Sequence, residues 1–467
     1  MDQEGVVTVE IYRPSPYIPG GGGSAGPRAG VPRANGAEIV DDVGAWRPLG
    51  LTFMWSLQGA LNEPDRYRQN LEWAAAHGFD FKRPLYEVAW NPPLTINPGP
   101  AKPNLPTFPD HLGAVARDLD LSWSLGLRSG ITLSGKGTGY DLERLASDVG
   151  GVIAAGRADR VLCVEMQNEY TNGGDPVEVL ERMARAIRPK IPNMLGLSYY
   201  SPPAGLTNEE RDRDLRQWIE RTRAVGGILF IVHTERAGDA DHGCRDARQD
   251  WDLKNGNPLI GVDWEGPGPG SSGAVQNRPI ILAMKRAIGI MCRAPIFVLH
   301  TGTGVYGDGN PSSSGAPRPP NFWEIENIEA IVSAIRGVVA LVPAGVENWQ
   351  QANTQWQAPN PVAPFQPHHH WEGDAQVDDK GKRNDGVNKA YAALGPDGRV
   401  VQMPLGVRES VRLTASYPLR DVTVYDPIAL APVPGFEGLA FPAGGVLELP
   451  GGPWSDPTVS YIIHGAR

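Results

Sequence analysis

Arg83 and Glu87, Asn168 and Glu169, Tyr199 and Tyr200, His233 and Glu235, Asp263 and Glu265, and His300 share one property. Each lies at the end of a short apolar run, just before a turn-rich stretch. Carboxylates, an arginine and imidazoles gathered at such ends are the groups that general acid–base and nucleophilic chemistry requires. Two to four of the acids would converge on one axis if the runs were parallel strands of a closed sheet. The dipeptide Asn-Glu occurs at 62–63, 168–169 and 208–209. The first and third sit where helices begin and read as caps. Only Asn168-Glu169 ends a strand, in "RVLCVEMQNEYTNGG" (160–174), where the plain alternative is a turn or cap for the next helix. Glu165 and Asp263 each precede a terminal glutamate by an even step. They should therefore face the same way, deeper inside, and a buried acid needs a hydrogen-bonding or ionic partner.

Elements must exist to hold these residues. Strand-like runs fall at 49–56, 79–87, 127–135, 160–169, 194–200, 228–235, 258–265 and 295–302. Helices with readable starts lie between them. Asn62 with Pro64 and Asp65 predicts one N-terminus, and Asp175-Pro176 with Glu178 and Thr207 with Glu210 predict capping boxes. Leu142, Leu145, Val149 and Val152 recur at helical spacing, as do Ile325, Ile328, Ile331, Ile335 and Val338. The connection at 236–257 has little periodicity and reads as a long loop. Eight apolar strands alternating with amphipathic helices over 49–345 predict a (β/α)₈ TIM barrel, whose chemistry sits at the carboxyl ends of its strands. A doubly wound open sheet is the rival, but no Gly-rich phosphate turn follows an early strand. Residues 1–48 form a leader with one strand-like run and a Gly/Pro-rich stretch, which something must hold if it is ordered. Residues 346–467 begin as an irregular, Pro-rich linker and continue as short strands divided by turn residues. That pattern predicts an antiparallel β-sandwich.

Composition narrows the partners. The formal net charge is -10 and no basic stripe is present, which disfavours nucleic acid and anionic membranes. No apolar run is long enough to span a bilayer, and no secretory signal is visible, so the expected setting is the cytoplasm or an assembled particle. Three cysteines, Cys163, Cys244 and Cys292, match no disulfide or zinc pattern, and Cys163 and Cys292 read as small core residues. No metal and no cofactor is expected. "PHHHWEGD" (367–374), with His368 to His370, reads as a loop over the barrel mouth or on the surface rather than as a metal cluster.

A (β/α)₈ barrel with Asn-Glu ending its fourth strand and Glu ending its seventh resembles clan A of the retaining glycoside hydrolases, over some 300 residues. The resemblance implies a general acid/base at Glu169, a nucleophile at Glu265 in "GVDWEGPGP", and an amide at Asn168 that contacts the sugar 2-hydroxyl. It also implies support of the nucleophile by Arg83 in "FKRPL". Retention needs two carboxyls about 5–5.5 Å apart across the anomeric carbon. Where the clan often has a tyrosine at the sixth strand, this chain has Glu235. That residue reads as a substrate-binding acid, a rival nucleophile, or a partner for Arg236 or Arg83. Where the clan often has a Trp at the eighth strand, this chain has His300. His233 and His300 are candidates to hydrogen-bond sugar hydroxyls. Trp55, Trp90, Tyr170, Tyr199, Tyr200 and Trp264 are candidates to stack on sugar faces or to pack the core. The expected function is hydrolysis of a β-linked glycan or glycoside. The alternative is a non-catalytic carbohydrate-binding or structural component of a virion or cell surface, assembled through its leader.

Overall fold

The computed structural model describes residues 28–87, 110–135, 141–168, 175–199, 207–232, 259–266, 278–307, 319–354, 362–367, 376–377, 383–384, 389–405, 407, 410–452 and 459–467. The leader's strand-like run and most of its Gly/Pro-rich stretch, within 1–27, and the 236–257 connection lie outside them.

Eight parallel strands form a ring. They are β1 (Leu49–Thr52), β2 (Phe81–Arg83), β3 (Arg128–Ser134), β4 (Val161–Gln167), β5 (Met194–Gly196, continued by Ser198–Tyr199), β6 (Leu229–Val232), β7 (Ile260–Gly266) and β8 (Ile296–Leu299). Each pairs with its sequence neighbours, and β8 returns to β1. The fifth strand is divided. Its first part pairs with β4 and its second with β6, which closes the ring. Gly196 sits at that division, where a Cβ would stand 2.5 Å from the Leu229 carbonyl oxygen. Only glycine permits so close a backbone approach.

The ring interior is layered, as eight-stranded barrels are. Its floor is apolar: Phe81, Ile231, Val262, Ile296 and Val298 pack together. The Phe81 ring occupies the space a Cβ on Gly50 would need, 2.3 Å away. Ile39 joins this floor from a three-stranded antiparallel sheet at 33–35, 38–41 and 44–46, so the folded part of the leader stops the bottom of the barrel. Asp41 fastens it. Its carboxylate accepts from Arg28 Nε at 2.7 Å and from Arg128 Nη1, at the start of β3, at 2.8 Å. Burial pushes the Asp41 carboxyl up, but the two arginines and the Val43 N–H hold it below the usual carboxylate range.

Outside the ring, strand side chains of opposite parity meet the helices in two large apolar clusters. Thr207 and Glu210 form the predicted capping box. The other two starts differ from expectation. Asn62 ends the helix Ser56–Asn62, and the next helix, Pro64–Ala76, begins after Glu63 with no side-chain cap. The helix Val177–Ile187 begins after Pro176, also uncapped, because the Asp175 carboxylate is engaged elsewhere.

Beyond the barrel, strands 350–354, 389–394, 399–405, 462–466, 419–426 and 431–432 form one antiparallel sheet, and 365–367, 410–415 and 446–450 form another. The sheets pack through Phe365, Val400, Leu413, Val424, Leu449 and Ile463. The alternate residues of the first sheet, Tyr391, Ala393, Val401, Met403 and Ile462, pack instead on the barrel helix Pro279–Met291. That sheet is therefore apolar on both faces. The helix it covers is buried all round from Ile281 to Met291, a stretch that is apolar but for Lys285 and Arg286. Within it Arg286 donates to the Ile335 and Arg47 carbonyls, and burial lowers its pKa to about 10. The chain is a (β/α)₈ barrel with a C-terminal antiparallel β-sandwich.

Candidate active site

Above the apolar floor, the next inward positions are polar. Arg83 ends β2, Thr132 lies on β3, Glu165 on β4, and Asn168 follows β4 directly; all are buried. The Arg83 guanidinium donates from Nε to Thr132 Oγ1 at 3.1 Å and from Nη2 to Glu165 Oε2 at 3.1 Å. The same Nη2 donates to Asn168 Oδ1 at 2.5 Å. Thr132 Oγ1 in turn donates to Glu165 Oε2 at 2.5 Å. The ion pair neutralises two charges that neither could carry alone at this depth. It also fixes the Asn168 amide: with Oδ1 accepting from Arg83, the Nδ2 hydrogens remain available for other acceptors. On the other side of the ring, His300, next after β8, shares a hydrogen bond of 3.0 Å between its Nδ1 and Thr52 Oγ1 of β1.

Asn168 is also held by its backbone, which donates to Ser134 O at 2.8 Å. Gln167 precedes it and is buried. Its Oε1 accepts from the Asp175 backbone N–H at 2.9 Å, and its Nε2 donates to Asp175 Oδ2 at 2.5 Å and to Gly135 O at 3.0 Å. Cys163, two positions down the same face from Glu165, is buried. Burial, then the Glu165 charge, pushes its thiol well up, so it is a thiol and a small core residue.

A second buried cation lies one residue away. Lys82 points outward from β2, into the helix layer. Its ammonium contacts Asp118 Oδ1 and donates to Tyr67 OH at 2.6 Å and Ser56 Oγ at 3.3 Å. Tyr67 OH donates to Asp118 Oδ1 at 2.5 Å and Tyr86 OH to Oδ2 at 3.1 Å. Burial lowers the Lys82 pKa against the pull of Asp118, and burial and Asp118 push both tyrosines well up.

Of the residues singled out in the sequence, Arg83, Asn168, Glu165 and His300 lie on or just beyond the strand ends in this polar layer. The partners expected for Glu165 are there: Arg83 and Thr132. Trp55 is core: it is fully buried, with its ring centroid 5.5 Å from that of Tyr67 and 6.0 Å from that of Phe53. Tyr199, Asp263, Trp264 and Glu265 are placed by their backbone, Tyr199 on β5 and the other three on β7. The register of β7 against β8 shifts between Asp263 and Gly266, a bulge. That interrupts the alternation on which the expectation for Asp263 rested. Glu169, Trp90, Tyr170, Tyr200, His233, Glu235 and the 368–370 histidines lie outside the described residues. Thr132 and Gln167 were not anticipated. Their signal was available: Thr132 alternates with Ile131 and Leu133, and Gln167 lies two positions beyond Glu165. Among the described residues no His, Cys, Asp or Glu cluster could hold a metal, and no helix is long and apolar enough to cross a membrane.

No family model and no curated protein matches the chain by sequence. Solved structures match its fold. A glycoside hydrolase superposes with a TM-score of 0.58 at 9% identity, covering 94% of this chain and 97% of its own. A glycoside hydrolase family 5 structure from Bacteroides vulgatus ATCC 8482 does so with a TM-score of 0.58 at 10% identity, covering 94% and 93%. Both likenesses span the barrel and the sandwich together, and at these identities the likeness is one of fold.

Proposed function

We propose that the chain is a retaining glycoside hydrolase acting on a β-linked glycan or glycoside, with residues 49–345 as its catalytic unit. The observation that carries this reading is the buried Arg83–Glu165–Thr132–Asn168 network. It orients an amide at the carboxyl end of β4, one residue before Glu169. A purely structural ion pair has no need to order an amide at that edge. The whole-length fold likeness to glycoside hydrolases supports the same assignment.

In this mechanism Glu169 gives its proton to the glycosidic oxygen as the C1–O bond to the leaving group breaks. The Glu265 carboxylate attacks C1 from the other face and forms a glycosyl ester. Glu169, now ionised, takes a proton from water. The hydroxide so formed attacks C1, the ester bond breaks, and Glu265 leaves as carboxylate. Asn168 Nδ2 donates to the 2-hydroxyl. Tyr199, Trp264, Trp90, His233, Glu235 and His300 are the further substrate contacts.

The test is a panel of aryl β-glycosides. Glu169→Gln and Glu265→Gln should each lower turnover by more than about 1,000-fold, the order expected for loss of a catalytic group. Azide should restore turnover of an activated glycoside by Glu169→Gln but not by Glu265→Gln. Wild-type protein that binds glycans and cuts none of the panel would defeat the reading.

A further inference from the structure

Glu169 lies between Gln167 and Asp175 in the sequence. Gln167 and Asp175 flank residues 168–174, and they are joined at two points. Gln167 Oε1 accepts from the Asp175 N–H at 2.9 Å, and Gln167 Nε2 donates to Asp175 Oδ2 at 2.5 Å. The other Nε2 hydrogen goes to Gly135 O at 3.0 Å, at the end of β3, whose carbonyl also accepts from Ser134 Oγ at 2.5 Å. Gln167 is completely buried, so both its amide hydrogens and its oxygen are committed inside the protein. Local rules would spend Asp175 differently. With Pro176 following and Glu178 three positions on, it is a natural helix N-cap. The helix starts instead at Val177 without a side-chain cap, and the Asp175 carboxylate turns to Gln167. Departures of this kind from local preference mark places held for function.

We infer that Gln167 and Asp175 are positioning residues for the acid/base: their clamp sets where Glu169 delivers its proton. This rests on the reading of Glu169 given above. Proton delivery needs the carboxyl within hydrogen-bonding reach of the leaving oxygen, and a displacement of an ångström suffices to lose it. Misplacement has a selective signature. A phenolate leaves poorly without a proton, whereas 2,4-dinitrophenolate leaves unaided. Releasing the clamp therefore slows bond cleavage for the first glycoside and not the second.

The experiment compares kcat/KM, which reports cleavage, for phenyl and 2,4-dinitrophenyl β-glycosides of whichever sugar the wild-type enzyme turns over. Gln167→Met keeps the bulk and removes every hydrogen bond of the clamp. It should lower kcat/KM on the phenyl glycoside about 100-fold and leave the dinitrophenyl value within about threefold. Azide should raise its kcat on the dinitrophenyl glycoside. Asp175→Ala should reproduce the pattern, and Asp175→Asn, which still offers an oxygen to Gln167, should recover most of the loss. The Asp175 pair carries the test if Gln167→Met does not fold. Equal losses on both glycosides, or no loss on either, would overturn the clamp's role and leave the assignment of Glu169 standing. A wild-type enzyme that cuts neither, or Glu169→Gln that cuts the phenyl glycoside normally, overturns the assignment and this inference with it.

Discussion

Lys82 and Arg83 are consecutive, both are fully buried, and each is paired with a carboxylate and hydroxyls. Strand alternation sends them to opposite faces. The Lys82 cluster closes on itself: Tyr67, Tyr86 and the ammonium occupy both Asp118 oxygens, and every member lies between the ring and its helices. The Arg83 cluster is open at one end, since the same guanidinium that neutralises Glu165 reaches on to Asn168 at the strand edge. A buried ion pair by itself says little about function. On the function proposed above, the hydrogen bond to Asn168 is what would separate a working part from a rivet.

That contrast can be broken in several ways. Lys82→Met removes one member of a closed pair and should cost about 3–5 kcal/mol of stability, read from urea unfolding. The protein that remains folded should keep its kcat/KM within about threefold of wild type. A hundredfold loss of activity would show that the outer cluster is not merely a rivet. Arg83→Lys keeps the charge beside Glu165 but loses the planar fork. It should lower kcat/KM about 100-fold, ~2.7 kcal/mol of transition-state stabilisation, with a much smaller change in unfolding free energy. Arg83→Lys protein that turns over substrate as the wild type does would remove the distinction between the two clusters. Tyr86→Phe deletes one hydrogen bond at the edge of the closed cluster and should cost about 1 kcal/mol, with activity unchanged on the same assay.

The smallest effect is one of pH. Burial holds the imidazoles of His464 and His111 below the ordinary histidine value, although each has a carbonyl beside it, Leu341 O and Tyr86 O. The unfolded chain then binds protons that the folded chain refuses. Their contribution to stability is present above about pH 6.5 and is lost as pH falls below it. His464→Gln should flatten the pH dependence of unfolding in that acidic range. An unchanged slope would assign the dependence to other groups.

The sequence reveals elements better than it reveals partners. Apolar runs such as those of β4 and β8 mark strands because burial on both faces leaves no polar alternation. Glu165 was readable as a buried acid in need of a partner, because its parity with Glu169 follows from local geometry. Asp118 was not readable as the partner of Lys82, because it lies in a helix that only the fold brings to β2. The division of β5 and the bulge in β7 were equally hidden. Both depend on how a strand fits its neighbours, which no property of its own residues records. Asp175 shows the same limit from the other side, since its local signal named a cap and a tertiary contact overrode it.

The sheet that is apolar on both faces carries one more implication. Met403 and Tyr391 on one side and Val400 and Ile463 on the other are buried, so the central strands present apolar side chains on both faces. A fragment ending near residue 345 would bare the helix Pro279–Met291, and an isolated 346–467 fragment would bare the sheet. Each would be prone to aggregate. The sandwich is thus not a detachable cassette of the sort shuffled between enzymes, and both parts should melt in one cooperative transition.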